Sequence, residues 1–296
     1  MTDANRGDAG EGGEGFRSGF VAMYGRPNTG KSTIVNRIIG EKVSITSNKA
    51  QTTRHQIRGV LTTPEAQLIF VDTPGVGKPR TALGKKLNTT ANKGRGEADV
   101  VCFVVDAHSG YGRGDEFLAQ DLDPANTVVV LNKVDGLTPE AIGKQLTLVA
   151  PLDCSAYFPV SGFTGAGLQP LVDHLIDRLP VGPRWFPNDS VTDVSDSHWV
   201  AELVREQLLR ILRQELPHSI ATRVTAWDGK KIAVEILVER ESQKGIVIGR
   251  GGEVLKKVGT NVRRQLAEGY SLELVVNVES NWQHDPDGVE RMLTIE

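Results

Sequence analysis

Residues 25–32 read GRPNTGKS, and this octapeptide decides the fold. It has the form Gly25-x-x-x-x-Gly30-Lys31-Ser32, a loop whose backbone N–H groups can wrap a β-phosphate. Gly25 and Gly30 permit the wrap, Lys31 balances charge on the β- and γ-phosphates, and the Ser32 hydroxyl is suited to ligate Mg2+. Arg26, Pro27, Asn28 and Thr29 inside the loop, and Thr33 after it, are counted with the phosphate site. An apolar strand ends at Tyr24 and the apolar helical run STIVNRIIG follows, which is the setting such a loop requires. By itself the loop does not separate ATP from GTP.

Two tetrapeptides further on make that separation. DTPG at 72–75 follows LIFV, so Asp72 ends a strand where it can hold a Mg2+ shell. Thr73 and Pro74 continue the turn, and Gly75 can offer its N–H to a γ-phosphate. NKVD at 132–135 follows TVVVL and brings Asn132, Lys133 and Asp135 to the base. A carboxylate accepts from two guanine donors, N1–H and the exocyclic amine; adenine has no such pair and would leave the carboxylate unpaired. Three motifs in this order, each at the C-terminal end of a strand, predict a guanine-nucleotide domain. In the polar loop QTTRH at 51–55, Thr52 and Thr53 both qualify as the switch threonine that closes over Mg2+, and Thr53 is preferred. PVSG ends the last strand, with Ser161 beside the base and the Gly162 N–H expected at guanine O6.

The surrounding pattern agrees. From Phe20 to about Leu179, the runs FVAMY, AQLIFVD, DVVCFVVD, NTVVVLN and AYFPVS alternate with helical stretches. Continuous apolar strands separated by helices predict a doubly wound, mostly parallel sheet of the α/β P-loop class. The nucleotide domain is set at 18–181 and a Pro-, Asp- and Ser-rich linker at 182–196. Residues 1–17 form a Gly-rich acidic stretch without an apolar core, read as a disordered tail and not a signal peptide. The net charge is −3, and no apolar run approaches the roughly 20 residues of a membrane span. Cys102 and Cys154 are too few for a disulfide framework and read as reduced thiols of a cytoplasmic protein.

Residues 197–296 follow another rhythm. Val200, Leu203, Val204, Leu208, Ile211 and Leu212 stand at helical spacing; a hairpin with DGKK at its turn, two helical pieces and a last strand follow. This predicts an α+β domain of order α-β-β-α-α-β. Its loop, GIVIGRGG at 245–252, lacks the Lys-Ser pair and the preceding strand of a phosphate loop. Ile-Gly-x-x-Gly in this order of elements is the setting of a KH module, which clamps single-stranded RNA. Between 244 and 264, Lys244, Arg250, Lys256, Lys257, Arg263 and Arg264 stand against Glu253 alone. The predicted RNA contacts are Lys244, Ile248, Gly249, Arg250, Gly251, Gly252, Lys256, Lys257 and Arg263. Val247, Ile248, Val254 and Leu255 are candidates for the floor of a base groove, or for core.

With GRPNTGKST, KAQTTRH, DTPG, NKVD, ELPHSI, ILVERESQKGIVIGRGG and ESNW together, the chain resembles the Era family, bacterial GTPases with a C-terminal type II KH domain. The resemblance implies a GTP/GDP switch that binds the 3′ end of small-subunit ribosomal RNA and assists maturation of that subunit. It also implies a monomer with loose peripheral association with the cell membrane. Lys31, Thr53, Asp72 and Gly75 then form the catalytic set, with Ser32, Thr53 and Asp72 holding Mg2+. Asn28 matches the loop asparagine of similar potassium-activated GTPases, which implies K+ as a second cation. Val76 stands after DTPG in place of a glutamine that could orient water, so hydrolysis is expected to be slow. Rival expectations are an RNA-assembly protein with a structural nucleotide, and a GTPase acting on another RNA.

Overall fold

A computed structural model of the chain describes residues 15–212 and 216–293. Most of the stretch read as a tail, residues 1–14, lies outside the described residues, as do 213–215 at the end of the long predicted helix. The chain divides into two compact units. One holds the described residues up to Ser44, Thr53–Gly77 and Leu87–Asp193; the other holds Ile45–Thr52, Lys78–Lys86 and the residues from Val194 onward.

In the first unit β1 (Arg17–Tyr24), α1 (Lys31–Ile39), β2 (Ile57–Thr62) and β3 (Ala66–Asp72) come first. α2 (Ala82–Gly96), which belongs to this unit from Leu87, β4 (Val100–Asp106), α3 (Arg113–Ala119), β5 (Thr127–Asn132), α4 (Pro139–Val149), β6 (Ala156–Pro159) and α5 (Leu168–Arg178) follow. The sheet order is β2-β3-β1-β4-β5-β6. All neighbours are parallel except β2, which runs antiparallel to β3. Every residue of β3 and β5 is buried, as strands covered on both faces require. Alternation sorts the residues of β4: Cys102 and Val104 join a core with Val21, Leu68 and Val130, while Phe103 and Val105 join another with Tyr24, Val129 and Leu131.

The antiparallel strand β2 was absent from the sequence reading, and the reason is local. IRGVLT is only partly buried and carries Arg58, so it shows no continuous apolar run. The stretch 182–196, read as a linker from its prolines, stays with the first unit through Asp193. The Val60 N–H donates to the Val191 carbonyl at 2.9 Å, and Arg58 pairs with Asp193 at 2.8 Å, so this segment covers the outer strand. Sheet order reverses at β1, between β3 and β4, and the strand ends on either side form the crevice where α/β sheets take ligands.

The second unit contains α6 (Asp196–Ile211), β7 (Ala221–Asp228), β8 (Lys231–Val238), α7 (Glu241–Ile248), α8 (Glu253–Arg263), β9 (Ser271–Val278) and α9 (Pro286–Leu293). β8 is central, antiparallel to β7 and parallel to β9. The predicted α-β-β-α-α-β order is present; α9 is an addition that the sequence reading did not contain. Val200, Leu203, Val204, Leu208 and Leu212 of the α6 region are all in the core.

That helix also buries charge. The Arg205 guanidinium donates to Glu202 Oε1 at 2.7 Å and to the Thr52 carbonyl. Glu206, fully buried, accepts from the Thr46 N–H at 3.0 Å and pairs with Arg210 at 3.1 Å. These charge-assisted bonds hold the segment Ile45–Thr52 on α6 and satisfy groups that would be costly to bury unpaired.

Trp282, from the ESNW stretch, is 1% exposed, and its indole N–H donates to the Ser219 carbonyl at 3.2 Å. Trp282→Ala should destabilise this unit by about 3–5 kcal/mol, the usual range for truncating a buried aromatic. Trp282→Phe should cost markedly less. Urea unfolding followed by circular dichroism checks both, and equal stability of all three proteins would exclude the packing role.

Candidate functional site

The end of β1 turns into the phosphate loop at Gly25, whose φ is 147°. A Cβ there would lie 2.4 Å from the Val104 carbonyl oxygen, so backbone geometry and the neighbouring strand both demand glycine. α1 starts behind Gly30 with no side-chain cap and no acidic residue in its first turn. Its first N–H groups are therefore left for an anion, and the helix dipole favours one. Lys31 is 6% exposed; its ammonium donates to the Gly25 and Arg26 carbonyls at 3.1 and 2.8 Å. Burial lowers its pKa to about 8, partly opposed by the Asp72 charge.

Asp72, at the end of β3, is fully buried. Burial raises its pKa, while the Ser32 hydroxyl, Lys31 and the Ser44 and Thr53 hydroxyls oppose the rise. Neither carboxylate oxygen meets hydrogen-bond geometry with any protein group. The Ser32 and Thr53 hydroxyls are 3.0 Å apart. A buried orphan carboxylate facing hydroxyl oxygens is a hard-donor set, which suits Mg2+ and not a soft metal. Ser32, Thr53 and Asp72 thus fit the predicted cation. Of the two candidate threonines, Thr53 lies beside Ser32, whereas Thr52 donates its hydroxyl to the Lys49 carbonyl at 2.7 Å. Among the described residues, no cluster of three His, Cys, Asp or Glu side chains forms another metal site.

Other predicted residues brace the loop. Thr29 donates to the Arg26 carbonyl at 3.1 Å and Thr73 to the Met23 carbonyl at 2.7 Å, so both hydroxyls are structural. Arg26 pairs with Asp115 at 2.9 Å. A Cβ on Gly75 would fall 2.5 Å from Pro27 Cα, which puts the DTPG turn directly against the loop. Pro74 is buried and Thr33 half-buried. Val76 is 5% exposed, within the core.

At the base end, the Asn132 amide donates to the Thr29 carbonyl at 2.8 Å, and its Oδ1 accepts from the Gly162 N–H at 2.9 Å. That corrects one expectation. The Gly162 N–H, assigned to guanine O6 from sequence, is committed to Asn132, and the two residues tie three loops together. Ser161 donates to Asp135 at 2.6 Å and so orients its carboxylate. Lys133, at φ 65°, donates to the Asn28 carbonyl at 2.6 Å and to Asp106 at 2.7 Å. Asp106, Asp115 and Ser44 were missed in sequence because each lies outside a motif; the one available signal was that Asp106 ends an apolar strand.

In the second unit, a 3₁₀ turn over Arg250–Gly252 joins α7 to α8. α8 begins after Gly252 with no side-chain cap. Arg250, Lys256, Lys257 and Arg263 are exposed, whereas Lys244, Ile248, Gly249 and Gly252 are half-buried. Lys256 and Arg263 lie seven residues apart on one face of α8, roughly 10 Å along its axis. Gly251 has φ 60° and no atom within 4 Å of a would-be Cβ, so a side chain there enters open space. Val247 is fully buried in the core and leaves the candidate groove floor; Ile248, Val254 and Leu255 pack against the core only in part. Ile246, 57% exposed beside the loop, is an apolar surface residue that the sequence reading did not single out.

A phosphate loop, a Mg2+-compatible pocket, the oriented carboxylate of NKVD and a separate Gly-x-x-Gly unit define a P-loop GTPase that carries a KH domain. Comparisons with known proteins agree. The family of 50S ribosome-binding GTPases matches residues 20–133, and the KH domain family matches 215–283. The chain is 42% identical to GTPase Era of Mycobacterium bovis and of Mycobacterium tuberculosis, over 94% of this chain and 98% of theirs. It superposes with TM-score 0.89 and 36% identity on Era in complex with MgGDPNP and nucleotides 1506–1542 of 16S ribosomal RNA, covering 94% and 99% of the two chains. An Aquifex aeolicus Era variant bound to GDP and AlF4− gives TM-score 0.88 at 36% identity, with the same coverage. The chain belongs to the Era family of GTPases, and it hydrolyses GTP.

Asp135→Asn should weaken GTP binding and favour xanthosine triphosphate, because an amide donates where the carboxylate only accepts. Ser161→Ala should weaken GTP in the same direction but less, since Asp135 remains and loses only its orienting bond. Competition binding of the two nucleotides measures this; a Asp135→Asn protein that still prefers GTP would refute the base assignment.

Proposed function

We propose that this protein is a slow GTPase switch that grips the 3′ end of small-subunit ribosomal RNA through its KH unit and releases it after hydrolysis. The reading places it in the cytoplasm, at the maturing small subunit. The observation that carries the proposal is the uncapped α8 N-terminus behind Gly249–Gly252, flanked by exposed Arg250, Lys256 and Lys257. Backbone phosphate is the ligand such a loop accepts, because the glycines permit close approach and the helix end attracts an anion. The two-domain relative that holds 16S RNA supports the small subunit over the 50S subunit of the GTPase family's name.

In hydrolysis, Lys31 leaves the carbonyls of its own loop to neutralise β- and γ-phosphate charge, and the Gly75 N–H donates to the γ-phosphate. Mg2+ held by Ser32, Thr53 and Asp72 would supply further neutralisation of that charge. A buried Val76 cannot orient water, which supports a slow intrinsic rate. Thr53 follows Thr52 directly in the chain, and Thr52 is gripped by Arg205.

Replacing Arg250 and Gly251 by aspartates tests the RNA half. Aspartate tolerates positive φ better than most residues, so the turn should survive. Two negative charges opposing RNA phosphate, with the Arg250 attraction removed, should cost roughly 2–4 kcal/mol, on the order of 30- to 1000-fold in affinity. Fluorescence anisotropy with an oligonucleotide of the small-subunit RNA 3′ end, at two salt concentrations, gives the answer. GTP binding should be unchanged and the salt dependence shallower in the variant. Wild-type RNA affinity would end the proposal.

Asn28, whose carbonyl is held by Lys133, supports a further reading, that K+ supplies a second positive charge near the phosphates. Hydrolysis should then run faster in KCl than in NaCl at equal ionic strength, and Asn28→Ala should erase the difference. Equal phosphate-release rates in the two salts would dismiss the K+ role.

A further inference from the structure

The second unit holds a cleft that neither the nucleotide nor the RNA reading uses. It has a volume of about 170 Å3 and is lined by Asp196, Trp199, Trp227, Ile232, Leu266 and Tyr270. Trp199 and Asp196 come from the first turn of α6, Trp227 and Ile232 from either side of the β7–β8 turn, and Leu266 and Tyr270 from the segment between α8 and β9. β8 starts level with β9, Lys231 beside Ser271, so the cleft lies at the end of the sheet where both strands begin. α8 runs toward this end from Gly252, which separates the cleft from the Gly-x-x-Gly loop by the length of that helix, roughly 16 Å.

Its walls are specific. Trp227 and Tyr270 stand nearly perpendicular, with ring centroids 5.9 Å apart and an interplanar angle of 84°. The Trp227 indole N–H donates to the Gly229 carbonyl at 3.1 Å, which fixes the ring on its own turn. Ile232 is 1% exposed and seals the floor, while Trp227 is 36% exposed, so the cleft opens to solvent. Lys230, in the same turn, donates its ammonium to the Glu268 carbonyl at 3.1 Å.

Perpendicular rings do not sandwich a flat base, which needs two parallel faces. They form a corner, and with Trp199 a third aromatic wall. Ring faces carry negative potential and Asp196 adds a full negative charge at the same rim, so the complementary ligand is a cation. The Asp196 carboxylate and the Tyr270 hydroxyl are too few oxygens to replace the shell of a small, strongly hydrated cation, and the remaining walls are ring faces and aliphatic side chains. They suit a cation whose charge is spread over methyl groups. The volume is that of roughly five or six waters, room for one alkylated ammonium headgroup and little more.

We propose that this cleft binds a small quaternary ammonium compound of the choline type, held by cation–π contact with Trp199, Trp227 and Tyr270 and by the charge of Asp196. The juxtaposition is particular to three chain segments that only folding brings together.

The test uses the full-length protein and choline chloride as probe, with NaCl at equal ionic strength as reference and 3,3-dimethylbutan-1-ol as the neutral carbon analogue. Tryptophan fluorescence should change saturably with choline in the millimolar range, at least about 5-fold tighter than with the neutral analogue. Tyr270→Leu, Trp227→Leu and Asp196→Asn should each weaken choline about 5-fold or more. Each variant should keep a cooperative urea transition and wild-type GTP affinity, which separates lost binding from lost folding. Trp227→Phe keeps an aromatic face and should retain most of the binding. No response beyond NaCl, equal binding of the neutral analogue, or undiminished choline binding in Tyr270→Leu would overturn the proposal. A trimethyl-lysine peptide binding more than tenfold tighter than choline would overturn the small-molecule assignment in favour of a protein partner. Cytidine competing equally with choline would overturn it in favour of a nucleobase.

Discussion

The first unit is organised around two opposite charges buried where water is scarce. Lys31 opens α1 behind the loop that leaves β1, and Asp72 ends the neighbouring parallel strand β3; both are almost wholly enclosed. Burial disfavours both charged forms, lowering the Lys31 pKa and raising that of Asp72. The ammonium is held by two carbonyls of its own loop, and the carboxylate faces hydroxyls without a bond that meets geometry. Such an arrangement is unfavourable as packing and becomes favourable when a phosphate and a divalent cation complete it. The drive for binding therefore lies in groups that protein partners alone match incompletely.

Everything nearby serves to keep those two groups in position. Gly25 lets the chain leave β1 against the Val104 carbonyl, and Gly75 lets the second turn close on Pro27. Thr29 braces the phosphate loop from within, Thr73 ties its turn to β1, and Asn132 and Lys133 tie their loop to the phosphate loop. Polar residues at strand ends thus divide into a few that face nucleotide and a larger number that fix the loops. The division matters for interpreting variants. Loss of Thr29 or Thr73 should be felt first as altered geometry, and loss of Lys31 as lost charge.

The second unit solves a different problem with similar means. Its three-stranded sheet leaves one face for helices, and α6 covers it while burying Glu202, Arg205 and Glu206. Those charges are tolerated because they pair with one another and with the backbone of Ile45–Thr52. The Gly-x-x-Gly turn stays exposed and basic. At the other end of α8, Trp199, Trp227 and Tyr270 keep an open aromatic corner instead of closing into the core.

What the sequence determined by itself was everything that depends on near neighbours in the chain. The phosphate loop, DTPG and NKVD were legible because nucleotide recognition needs fixed residue types at fixed short spacing, each after an apolar strand. The KH order was legible because helical and strand periods differ. Tertiary structure alone decided the rest. It showed β2 as an antiparallel outer strand without a continuous apolar run, and it bonded residues 191–193 to that strand although the prolines before them read as a tether. It also turned the Gly162 N–H toward Asn132, joined Asp106 to Lys133 and Asp115 to Arg26 of the phosphate loop, and moved Val247 into the core. Each of these outcomes rests on partners distant in sequence, and no local pattern encodes which distant group will satisfy a buried donor or fill a gap between elements.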